Sequence, residues 1–166
     1  MQKLLLLVVF INTCSAVAHA QNQPRTTGAS GYPLPRFMSL DDEINNMRTG
    51  PSVDYPIDWI YQKAGYPLKV IAEYDNWFKV IDVDGTTGWI SRVLLGFKRR
   101  GLIINGTQNL VKSPDDPDRV TVIAEQDVLG NLLQCENNWC EMEIGGFTGW
   151  IESKNIWGVL DQETFD

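Results

Sequence analysis

Apolar and polar positions fall into three patterns along this chain. Residues 4–11 are an uninterrupted apolar run. Residues 21–36 are rich in Gln, Pro, Thr, Ser and Gly, with few apolar positions. From Phe37 onward, strand-forming residues come in short runs broken by Gly, Pro, Asn and Asp, the pattern of many short β-strands. No window of helical length holds a sustained apolar stripe at 3.6-residue spacing, so an all-β fold is expected. Residues 69–73 and 78–82 predict a hairpin around Tyr74-Asp75-Asn76-Trp77. Asp84-Gly85 supplies the next turn, since Asp-Gly favours tight hairpins, and 86–91 form the following strand. The succession returns as 128–135, the turn Glu136-Asn137-Asn138-Trp139, 140–144, the turn Gly145-Gly146, and 147–152.

This return is an internal repeat with a period of roughly 62 residues. Asn76-Trp77 followed by Gly88-Trp89-Ile90 recurs as Asn138-Trp139 followed by Gly149-Trp150-Ile151, and four of the six tryptophans lie on it. Such a period suits a small domain rather than a solenoid unit. A proline-bearing turn lies earlier in each copy: Arg48-Thr49-Gly50-Pro51-Ser52 in the first, Val111-Lys112-Ser113-Pro114-Asp115 in the second. Proline fixes its own φ and restricts its predecessor, so both are shaped loops. The expected organisation is two small β-barrels, 37–97 and 101–160, behind a leader at 21–36.

Together these residues resemble the bacterial SH3-like domain family of exported proteins. The resemblance rests on Asn46-Met47-Arg48-Thr49-Gly50-Pro51-Ser52, Asp54-Tyr55-Pro56, Asn76-Trp77-Phe78-Lys79-Val80 and Gly88-Trp89-Ile90. The second copy keeps Pro114, Asn138-Trp139 and Gly149-Trp150-Ile151 but lacks the opening Arg and Gly, so a remodelled first loop is expected there. The resemblance implies two tandem five-stranded barrels and a binding or scaffolding role near peptidoglycan or an envelope partner. It supplies no catalytic site.

The N-terminus changes the inventory. Lys3, the apolar run and Ala18-His19-Ala20 have the order of a secretory signal over 1–20, with Gln21 as the new N-terminus. Asn12, Thr13 and Ser15 interrupt the run too early for a membrane span, which needs about 20 apolar residues. Lipidation at Cys14 is the alternative, although Ile11-Asn12-Thr13 suits it poorly. The expectation is an exported protein, periplasmic or secreted, with 21–36 as a flexible tether. Within that tether, Tyr32-Pro33-Leu34-Pro35 could instead dock as an extended segment. The whole chain has a net charge of −7. Loss of 1–20 would leave 13 basic against 21 acidic residues, or −8. That charge disfavours nucleic acid, whose binding runs on clustered Lys and Arg. Lys98-Arg99-Arg100 is a short cluster, expected as a solvated segment between the barrels.

Candidate chemistry is sparse. The only histidine, His19, would leave with the signal, removing any Ser-His or Cys-His pair. Cys135 and Cys140 flank the second hairpin turn, where cross-strand neighbours lie within disulfide reach. Two cysteines without histidine make a poor zinc set, so a disulfide, no metal and no cofactor are expected. The acidic clusters Asp41-Asp42-Glu43, Asp115-Asp116 with Asp118, and Asp82 with Asp84 read as turns and solvated loops. Asp82-Val83-Asp84-Gly85 lacks the spaced ligands of a calcium loop. Aromatics remain: Tyr55, Trp59, Tyr61, Tyr66, Tyr74 and Trp77 crowd the first copy. Tyr and Trp dominate binding hot spots. The expected ligand site is therefore Tyr55, Trp59, Tyr61 and Trp77, while Trp89 and Trp150 are expected in the cores. The expected function is non-enzymatic recognition of an envelope protein. The alternative is peptidoglycan binding that targets a hydrolase.

Overall fold

The computed structural model describes residues 26–166. The signal sequence expected over 1–20, and Cys14 within it, lie outside the described residues. A small hairpin, β1 (Thr26–Thr27) and β2 (Pro33–Leu34), leads into the first of two antiparallel sheets. That sheet contains β3 (Arg36–Leu40), β4 (Asn45–Arg48), β5 (Ile57–Tyr61), β6 (Pro67–Tyr74), β7 (Trp77–Ile81), β8 (Thr87–Ser91) and β9 (Leu95–Gly96), in the spatial order β5-β4-β8-β7-β6-β3-β9. The second contains β10 (Arg100–Ile103), β11 (Gln108–Ser113), β12 (Asp116–Ala124), β13 (Leu129–Glu136), β14 (Trp139–Ile144), β15 (Phe147–Glu152) and β16 (Ile156–Trp157). Its order, β12-β11-β15-β14-β13-β10-β16, is that of the first sheet strand for strand. Five strands per barrel were expected, and each sheet has seven. The hairpin β4–β5 joins the first sheet by pairing Arg48 with Trp89 on β8, as β11–β12 joins the second through Val111 and Trp150.

Inward residues follow the two-residue period of a strand. Val70, Phe78, Val80 and Ile90 fill the first core with Met38, Leu40, Met47 and Leu68. Ile103, Leu110, Leu132, Met142, Ile151 and Ile156 fill the second. The same period corrects the expectation for Trp89 and Trp150. Gly88 and Ile90 are buried, as are Gly149 and Ile151, so the tryptophan between each pair points outward and is only half-buried. Gly88 is small for a reason: an added Cβ would lie 2.5 Å from the Met47 side chain.

The leader is a second correction. Residues 26–36, expected within a flexible tether, fold onto the first sheet, and Leu34 joins its core. Ser30 donates from its amide (2.7 Å) and its hydroxyl (2.6 Å) to the Glu73 carboxylate. Arg36 Nη1 lies 2.7 Å from Glu73 Oε1, both side chains being almost fully buried. Burial alone would raise the Glu73 pKa. The Ser30 hydrogen bonds and the Arg36 charge outweigh it and hold the carboxyl below its usual range.

The basic cluster is not a free linker either. Arg99 pairs with Glu163 at 2.9 Å, and the Lys98 carbonyl accepts from Ser39 Oγ at 2.9 Å. The two sheets also touch. Trp157 Nε1 donates to the Pro67 carbonyl at 2.9 Å, and its ring meets Phe37 edge-on at 5.0 Å. Lys69 Nζ sits 4.7 Å above the Trp157 ring.

Candidate functional site

The outward face of β6, β7, β8 and β4 gathers aromatic and basic side chains in the first copy. Register sets the arrangement. Tyr74 pairs with Trp77 across the β6–β7 turn, Trp77 with Ser91, and Lys79 with Trp89 across β7–β8. Arg48 pairs with Trp89 from the other side. The Tyr74 and Trp89 rings meet edge-on at 6.5 Å, and Tyr74 is 62% exposed. Face, edge and cation are thus displayed together, as aromatic and cation–π recognition requires.

The matched face of the second copy has different chemistry. Glu136 stands where Tyr74 does, opposite Trp139, and Glu141 stands where Lys79 does, opposite Trp150. Val111 replaces Arg48. One face is aromatic and basic; the other is acidic.

The residues expected at the ligand site separate. Trp77 lies on the aromatic face, half-buried. Tyr55 is joined to that face through Arg48, whose Nη1 donates to the Tyr55 carbonyl at 2.7 Å. The Tyr55 ring covers Gly50, where a Cβ would come within 2.5 Å of it. This contact explains the Arg and Gly of the opening motif: one anchors the loop 49–56 and the other leaves room for its ring. The second copy, lacking both, closes the same hairpin with Pro114-Asp115 between Ser113 and Asp116. Trp59 is exposed on the edge strand β5, opposite Met47 rather than beside Trp77.

Tyr61 is a correction. It is buried, stacks on Tyr66 at 5.4 Å and donates to Asp82 Oδ2 at 3.0 Å. Burial first, then Asp82, pushes its pKa strongly upward, and burial pushes Tyr66 up to about 12. Asp82 Oδ1 in turn accepts the amides of Asp84 and Thr86. The Asp82–Gly85 segment is a capped turn, with its carboxylate already engaged. Tyr74, Trp89, Lys79 and Arg48 were not among the expected site residues. The alternation around Gly88 and Ile90 was the signal that would have placed Trp89 there.

The bacterial SH3 domain family matches residues 41–96 and again 105–158. The chain belongs to this family. Bacterial SH3 domains are binding modules, and this protein holds two in tandem. No curated protein matches the chain. Solved structures similar to it include NlpC2 from Trichomonas vaginalis, with 11% identity over 78% of this chain and 50% of that one, at a TM-score of 0.36. NlpC1 from the same organism has 12% identity, covering 78% of this chain and 48% of the other, at 0.35. An NlpC/P60 family protein from Bacillus cereus ATCC 10987 has 12% identity, covering 73% and 55%, at 0.34. The chain spans about half the length of these structures.

The second SH3 domain has features of its own. Cys135 and Cys140 pair directly across β13–β14 and form a disulfide, with Cα atoms 4.1 Å apart. Asn137 and Asn138 both take positive φ (49° and 65°) in the turn they bracket, the conformation of a type I′ hairpin. Beside Trp139 runs an open groove of about 630 Å³, lined among others by Asn138, Glu152, Lys154, Ile156 and Leu160.

Proposed function

We propose that the chain is an exported, non-enzymatic binding module of the cell envelope, and that the first SH3 domain docks a protein partner on its outward aromatic face. The observation that carries this reading is the asymmetry between two strand-matched faces. Tyr74, Trp77, Lys79, Trp89 and Arg48 occupy one; Glu136, Trp139, Glu141, Trp150 and Val111 occupy the other. Two domains of one topology need not differ at the Tyr74/Glu136 and Lys79/Glu141 positions for folding, because these side chains face away from both cores. Outward-facing Tyr and Trp beside Arg is the composition of a binding hot spot. The chemistry of the chain supports a non-enzymatic role: its only histidine is His19, and its Cys135 and Cys140 are bonded to each other.

The Trp139 groove favours a second reading, peptidoglycan binding through the second domain. A half-buried indole flanked by Asn, Glu and Lys side chains offers a stacking surface with hydrogen-bonding groups around it, which suits a glycan strand. Cosedimentation with isolated sacculi separates the two readings. A protein-docking module stays in the supernatant with or without Trp139→Ala. Pelleting that Trp139→Ala abolishes and Trp77→Ala spares would favour the second reading.

A further inference from the structure

Arg36 and Arg99 hold the same place in the two domains. Arg36 pairs with Val70. The Arg99 carbonyl accepts from the amide of Leu132, the residue matched to Val70. Each guanidinium meets a strap of chain: residues 26–35 in the first domain, through Tyr32, and residues 158–165 in the second. The straps come from opposite ends of the sequence and do not treat the arginines alike. The tail gives Arg99 a carboxylate: Glu163 Oε1 accepts from Nη1 at 3.0 Å and Oε2 from Nη2 at 2.9 Å. The Gly158 carbonyl adds a third bond at 3.1 Å, and the Phe165 ring stacks 4.4 Å from the guanidinium centre.

The leader strap stacks an aromatic ring in the same way but brings no carboxylate. Arg36 lies between Phe78 (4.9 Å) and Tyr32 (5.6 Å). Its Nη1 forms an ion pair with Glu73 Oε1, and Nε and Nη2 have no hydrogen-bond partner among the described residues. Its side chain is only 9% exposed. An unpaired guanidinium edge this deeply buried is costly. The Arg36 side chain helps line a cavity of about 130 Å³ whose wall also holds buried Phe78 and exposed Tyr32, Phe97 and Arg92. Glu73 is the nearest acid, and its charge is already shared by Ser30 and Arg36. Residues 1–25 contain no Asp or Glu, so none of their side chains can supply the missing carboxylate.

We propose that this cavity is a carboxylate-binding site, in which Arg36 receives from a ligand the group that Glu163 gives Arg99. Planar, bidentate recognition of a carboxylate is what a guanidinium fork does well. Tyr32 and Phe97, with ring centroids 4.9 Å apart, favour a carboxylate attached to an apolar or aromatic body. The ligand is a small aromatic acid or an acidic residue of a peptide, and the site is independent of the aromatic face described above.

The test is an NMR titration of the isotopically labelled protein with three probes: 3-phenylpropionate, the peptide acetyl-Glu-Thr-Phe-amide, and the uncharged 3-phenylpropanamide. The expected result is saturable shifts at Ser30, Tyr32, Arg36, Arg92 and Phe97 with one or both acids and none with the amide. Tighter binding of the peptide assigns the source to polypeptide; tighter binding of phenylpropionate assigns it to a small acid. Arg36→Lys keeps the charge but removes the fork, and Arg92→Gln removes an exposed cation without touching the core. Each should weaken binding at least tenfold. If Arg36→Lys does not fold, Arg92→Gln decides. No saturable shift, equal shifts with the amide, or unchanged affinity in folded Arg92→Gln would overturn the proposal.

Discussion

Neighbouring residues on β7 have opposite fates. Phe78 is buried beneath the Arg36 guanidinium, while Trp77 faces outward. Phe78→Ala should therefore cost about 3–5 kcal/mol, the usual cost of emptying an aromatic core site. Trp77→Ala should cost about 1 kcal/mol, since an outward side chain leaves no cavity. Chemical denaturation of the two variants checks this, and equal losses would mean that Trp77 is structural. Much of this scale was legible in the sequence. Asn-Trp and Gly-Trp-Ile marked the repeat, and the hairpin turn fell where Asp75-Asn76 placed it. What misled was residue size: Trp89 and Trp150 look like core residues, but buried Gly88 and Ile90 fix them outward. Tyr61 misled in the opposite sense, because its hydrogen-bond partner Asp82 is 21 residues away and nothing local announces it.

At the scale of elements, matched hairpins are braced differently. Glu73 and Phe78 hold the positions in the first domain that Cys135 and Cys140 hold in the second. The disulfide closes a short loop, so replacing both cysteines with serine should lower stability by about 2 kcal/mol. Thiol labelling of the unreduced native protein should find neither cysteine reactive. The Glu73 brace is electrostatic and therefore depends on pH. A carboxyl held below its ordinary value of 4.5 contributes stability that is present above that pH and is lost as pH falls through the lowered value. Melting temperature should drop on acidification more steeply in the wild type than in Glu73→Gln. Parallel acid limbs would refute the ion pair. The leader strap was hidden from the sequence because its signals are single residues in a polar stretch. Ser30 and Arg36 find their meaning only against Val70 and Glu73, 34 to 43 residues further on.

At the scale of the molecule, Trp157 joins the two domains through Pro67, Phe37 and Lys69. One hydrogen bond and one aromatic pair amount to about 1–3 kcal/mol of coupling. Calorimetry should show one transition in the wild type and a broadened or split one in Trp157→Ala; an unchanged profile would mean the domains melt independently. The repeat made two like domains legible, and composition placed the aromatic surplus in the first. Which face displays that surplus required the register. The most direct measurement of the binding account is site-specific photo-crosslinking in cells that make the protein, with a photoreactive residue at position 74 on the aromatic face or at position 136 on its acidic counterpart. The account predicts a discrete envelope-protein adduct from position 74, lost on Trp89→Ala, and none from position 136. Adducts from neither position, or equally from both, would contradict it.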